Sequence, residues 1–134
     1  MEEKFNDATT QRPEGERVLD AALVTIDLHS FIKLIKAEKT WKESDRNAIT
    51  VFKTNGMCIV LIALRKDAEM VKHIADSLIS LQVLEGQIVF STVEQSVELG
   101  KGQMLTLHER IPHNVLAKKE TIFLLTLTTT LERE

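Results

Sequence analysis

Apolar and polar positions alternate along most of the chain after Trp41, and that alternation predicts strands. "AITVFK" and "MCIVLIALR" are separated by Thr54-Asn55-Gly56, and Asn-Gly between apolar runs is a strong hairpin signal. "LISLQVLEG", "QIVFSTV", "SVELG", "QMLTL", "HNVLAKK" and "TIFLLTLTTTL" follow. Each is short, rich in β-branched or large apolar residues, and closed by Gly, Pro or a charged turn. Short strands at this spacing with no helix between them predict an all-β sandwich or barrel. Upstream, "VLDAALVTIDL" predicts a short extended segment. "DLHSFIKLIKAEKTW" predicts the chain's one helix, because Phe31, Leu34 and Ile35 recur at helical spacing. Asp27 or Ser30 can accept from its first free amides, and Lys36 and Lys39 fall in its last turn, where cations complement the dipole. Residues 1–17 lack periodicity and predict a flexible arm, followed by the strand and helix over 18–40 and a β-barrel over 41–134.

Composition narrows the function classes. The chain has 134 residues, enough for one domain with its own core. A net charge of −3 gives no basic footprint, so neither nucleic acid nor an anionic membrane surface is an expected partner. No stretch approaches the roughly 20 apolar residues of a membrane span. The start is acidic and polar where a secretion signal is basic and then apolar, which makes cytoplasmic placement the expectation. Cys58 is the single cysteine; among "GMCIVLIAL" it reads as a buried thiol of a reducing compartment.

The segment "LISLQVLEGQIVFSTVEQSVELGKGQMLTLHERIPHNVLAKKETIFLLTL" resembles the core of a small single-domain cupin of the cupin-2 type. The "VLEGQIVF" hairpin, a Gly-led strand and a "PH" entry into the next strand carry that likeness. With "WKESDRNAITVFKTNGMCIVLIALRKDAEMVKH" it spans residues 41–127. The resemblance implies a jelly-roll barrel with a short N-terminal strand and one short helix. It also implies two motifs that furnish a metal site, G-x5-H-x-H-x3-4-E-x6-G and G-x5-P-x-G-x2-H-x3-N. Laid on this chain, the first begins at Asp67 in place of glycine. His73 matches the first histidine, Ala75 and Ile79 replace the second histidine and the glutamate, and Gly86 matches the closing glycine. In the second motif Gly102 and His113 match, while His108, Arg110 and Ala117 replace proline, glycine and asparagine.

Two ligand-type residues therefore stand at motif positions, His73 and His113. A methyl group at 75 and a sec-butyl group at 79 have no lone pair to give a cation. Positions 73 and 75 share a face in a regular strand, as do 113, 115 and 117, whereas Gln82 has the opposite parity to Ile79 and points outward. His108 shares parity with Met104 and Thr106 and is a further pocket candidate at the "HERIP" turn. Arg46 is another, since its planar fork matches two oxygens of a carboxylate or phosphate. Trp41, at the helix end, is expected to close a barrel mouth or to pack at a subunit contact.

The leading expectation is a cupin that binds a small molecule in its interior, with no or only weak metal binding and no other cofactor. The alternative is a metal-dependent dioxygenase or isomerase in which His73 and His113 hold Zn²⁺, Ni²⁺ or Fe²⁺ weakly with an unidentified third ligand. The resemblance also implies a homodimer, and a light-scattering mass of one chain, 15.2 kDa, at micromolar concentration would contradict it.

Overall fold

A computed structural model describes residues 4–5 and 17–129. Its strands, in chain order, are β1 (Lys4–Phe5), β2 (Val18–Asp20), β3 (Arg46–Lys53), β4 (Met57–Leu64), β5 (Glu69–His73), β6 (Ser77–Glu85), β7 (Gln87–Ser91), β8 (Ser96–Gly100), β9 (Met104–Leu107), β10 (His113–Ala117) and β11 (Thr121–Thr129). Two helices, α1 (Leu28–Ala37) and α2 (Lys39–Glu43), precede β3. Two antiparallel sheets form the barrel, one ordered β5-β10-β7-β8 and the other β3-β4-β11-β6-β9. β1 and β2 pair as a separate ribbon.

Alternation along the strands decides which sheet face meets the other sheet. Ile79, Leu81 and Val83 of β6 are buried while Gln82 is exposed, as parity requires. Ile88 and Phe90 of β7, Val115 and Ala117 of β10, and Phe123 of β11 are buried with them between the sheets. β4 departs from alternation because both of its faces are covered. Ile62 and Leu64 join the inter-sheet core, while Leu61 and Ala63 join a second core with Ile35, Trp41 and Ile122. That double burial accounts for the uninterrupted run "IVLIAL".

The expected single helix is two. Glu38 leaves helical geometry, with φ −75° and ψ 150°, and separates α1 from α2. Asn47 explains the break: its buried side-chain amide donates to the Ile35 carbonyl and to Glu38 Oε1, both at 2.9 Å. It thus satisfies a C-terminal carbonyl of α1 that has no helical partner. Lys36 sits in the last turn of α1, but Lys39 begins α2 instead. Trp41 is not at a barrel mouth; it packs in the outer core, with the Arg65 guanidinium 4.1 Å from its ring centroid.

Two strand expectations also change. Only Val18–Asp20 of "VLDAALVTIDL" is a strand. β5 is an additional strand whose residues are mostly exposed, so hydrophobic alternation gave it no signature. The expectation for residues 1–17 lies outside the described residues apart from Lys4–Phe5 and Arg17, whose Nη2 donates to the Thr50 carbonyl.

The four loop positions where the resemblance expects glycine all have left-handed backbone: Asp67 (φ 72°), Gly86 (φ 91°), Gly102 (φ 86°) and Arg110 (φ 57°). At Gly86 a Cβ would be driven into the Glu120 carbonyl and lie 2.7 Å from the Thr121 Cα, whereas nothing lies within 4 Å of one at Gly102. Gly86→Ala is therefore expected to cost about 2 kcal/mol or more, and Gly102→Ala only the backbone term of about 1 kcal/mol, in urea unfolding.

Asp27 caps α1: its carboxylate accepts from the Ser30 amide at 3.3 Å and the Ser30 hydroxyl at 2.8 Å. The Ser30 hydroxyl, then the Ser30 amide, hold this carboxyl below its ordinary value of 3.8. A depressed folded-state pKa stabilises the fold above the unfolded value, and the effect is lost as pH falls through the folded value. Asp27→Ala is thus expected to lower Tm at pH 7, with the difference from the parent closing as the pH falls below 3.8.

Candidate functional site

At one end of the barrel the β5–β10 ladder sets His73 directly opposite His113. The register shifts between His113 and Val115, and Lys72 takes up the extra residue with φ 39°. Asn114 holds this bulge by accepting the Lys72 backbone N–H on its Oδ1. The Arg110 amide ties the neighbouring loop down by donating to the Ala75 carbonyl at 2.7 Å. The two imidazole rings lie 6.2 Å apart between centroids, tilted by 30°.

The two histidines have different surroundings. His113 is 9% exposed and stacks on Phe90, with centroids 5.3 Å apart and ring planes within 12°. Its Nδ1 lies 2.9 Å from the Ile111 carbonyl oxygen. A carbonyl only accepts, so Nδ1 carries the hydrogen and, in the neutral ring, Nε2 carries the lone pair. His73, on the edge strand β5, is exposed.

Both histidines line a cavity of about 110 Å³ that is partly open to the surface. Every other residue of its wall is apolar; Met70, Ile79, Leu81, Phe90, Phe123 and Leu125 make up much of it. Ala75 is also in the wall, so 73 and 75 do reach one space, although the strand ends at His73. His113 in addition borders a surface hollow of about 260 Å³ that includes Lys72, Ser91, Thr92 and Asn114.

No family model matches the sequence, and no curated protein does. Solved structures match over most of its length. A cupin superfamily protein from Desulfitobacterium hafniense superposes with a TM-score of 0.67 at 14% identity, covering 95% of this chain and 99% of that one. A cupin-2 domain containing protein from Shewanella frigidimarina gives 0.63 at 18% identity, over 78% and 94%. The fold is the cupin fold. Salicylate 1,2-dioxygenase from Pseudoaminobacter salicylatoxidans also matches, with a TM-score of 0.59 at 16% identity, over 63% of this chain and 26% of that one.

Within this cupin barrel the candidate residues do not all converge. His73 and His113 meet at the cavity. The His108 side chain is 85% exposed, 3.4 Å from Glu109, and borders a separate surface hollow with Thr106 and Thr128. Arg46 is engaged by Asp45 through two contacts of 2.8 and 3.2 Å and donates to the Glu69 carbonyl at 2.8 Å. The Arg46 guanidinium holds the Asp45 carboxyl below its ordinary value, and Asp45 raises that of Arg46 in turn.

The donor set does not fit a divalent cation. Among the described residues only two imidazoles line the cavity, Ala75 and Ile79 stand where the resemblance expects two further donors, and no group of three His, Cys, Asp or Glu is placed to hold a metal. Phe90 and Met70 are wall residues that motif reasoning passed over; Phe90 shares inward parity with Ile88, so alternation could have found it. Asn114 had no sequence signal, because its role is to a backbone amide 42 positions away.

Loss of that acceptor is expected to free the bulge. Asn114→Ala should lower stability by about 1 kcal/mol and shift the His73 imidazole NMR signals, while Asn114→Asp, which keeps an acceptor oxygen, should restore both.

Proposed function

We propose that this protein is a binding cupin: its barrel interior takes up a small, largely apolar molecule, with His113 and His73 as the polar groups that meet it, and it uses no metal. The observation that carries this reading is the cavity itself. It offers about 110 Å³ of space, and every lining residue other than His73 and His113 is apolar. The methyl group of Ala75 leaves that space open, and apolar walls favour an apolar guest.

Metal-dependent dioxygenase or isomerase chemistry would require a third donor beside His73 and His113. The residues at the two remaining motif positions cannot supply one. The likeness to salicylate 1,2-dioxygenase is a likeness of fold, and a fold hosts many activities.

The test has two arms. Cyclopentane, titrated against the labelled protein by NMR, should shift resonances of Phe90, Phe123 and Leu125, and Ala75→Phe should weaken that binding at least tenfold. Protein purified without added metal should contain well under one equivalent by elemental analysis. One equivalent that is lost on His73→Ala would overturn the metal-free reading.

A further inference from the structure

The histidine pair also constrains what the guest must carry. Resting on the reading above, we infer that the ligand is a compact neutral molecule bearing a hydroxyl group, which donates to His113 Nε2.

Three observations lead there. The Nδ1 atom of His113 is committed to the Ile111 carbonyl as a donor. That bond, with stacking on Phe90, fixes both the tautomer and the ring plane. Nε2 is consequently an acceptor with no protein partner among the described residues, yet it is not sealed off from the spaces the ring borders. A lone pair on a ring that is 9% exposed is left to whatever enters the spaces His113 borders, and the one it shares with His73 is lined otherwise by hydrocarbon.

His73 supplies the second half of the match. Its ring lies 6.2 Å away between centroids and borders the same cavity, so one guest can meet both histidines. A hydroxyl both donates and accepts, so it can give its hydrogen to His113 and take one from His73. A carbonyl can only accept, and would leave Nε2 of His113 unsatisfied. Size sets the remaining bound. An engineered apolar cavity of roughly 150 Å³ accepts benzene, so the space of about 110 Å³ suits a guest of about five carbon atoms.

Three probes of nearly equal size separate these terms: cyclopentanol, cyclopentanone and cyclopentane, titrated by NMR at pH 8.5, where an ordinary imidazole is neutral. Cyclopentanol should bind about fivefold to tenfold more tightly than cyclopentanone, in line with one net hydrogen bond. In His113→Phe the preference should fall below twofold while cyclopentane still binds. Because that variant removes the Ile111 bond as well, the unmodified protein provides an independent reading. With ¹⁵N-labelled histidine, cyclopentanol should move the His113 Nε2 signal upfield as it accepts a hydrogen bond, and cyclopentane should not. Equal affinity for alcohol and ketone, tighter ketone binding, or an unmoved Nε2 signal overturns the inference and leaves the binding role standing. Failure of all three probes to bind, cyclopentane included, overturns the binding role itself.

Discussion

The hydrogen-bonded pairing of β10 with its two neighbours is the constraint on which the open end of the barrel depends. β7 and β10 run in regular register, Asn114 opposite Ser91 through Ala117 opposite Ile88, so the inward parity of His113, Val115 and Ala117 is locked to that of Phe90 and Ile88. On its other side β10 meets β5 with a shift, and the shift brings His73 opposite His113. A one-residue slip of β10 against β7 would turn His113 out of the core and break its stack on Phe90, and a slip of β5 against β10 would take His73 from its place opposite His113. The chemistry available in the cavity is therefore a consequence of strand register.

Because β5 is an edge strand with little buried surface, that register is not enforced by hydrophobic packing of its own side chains. Polar and backbone bonds do the work instead: Asn114 to the Lys72 amide, Asp67 and Ala117 exchanging bonds with Ala117 and Ala68, and the Arg110 amide to Ala75. The two histidines are held unequally as a result. His113 is stacked, bonded and buried, while His73 sits on the less supported strand.

Much of the barrel was legible in the chain because several of its strands bury one face, and one buried face means alternation. That is why β6, β7 and β10 stand out, and why Gln82 could be assigned outward; β4 and β11, covered on both faces, read as apolar runs instead. β5 escaped notice for the converse reason, and the break at Glu38 escaped because its cause, Asn47, belongs to a different element. At the site, the motif positions led to His73 and His113, whose spacing along the chain survives. His108 shows the limit of parity: Met104 and Thr106, the residues that share it, are exposed too, so the same alternation that allowed an inward direction carries all three outward. The tautomer of His113 lay beyond any pattern, since it depends on a carbonyl two residues back in space and chain.

The left-handed geometry at Asp67 and Arg110 bears on how barrels of this kind diverge. Both residues hold a dihedral that glycine adopts freely and other side chains adopt at a cost of about 1 kcal/mol. Their amides are fixed by donating to the carbonyls of Ala117 and Ala75, distant in the sequence. Loop shape is thus held by the surrounding backbone and does not require glycine at these positions. Torsion angles carry the shared shape where the letters do not, so a structural superposition succeeds where a comparison of residue identities returns nothing.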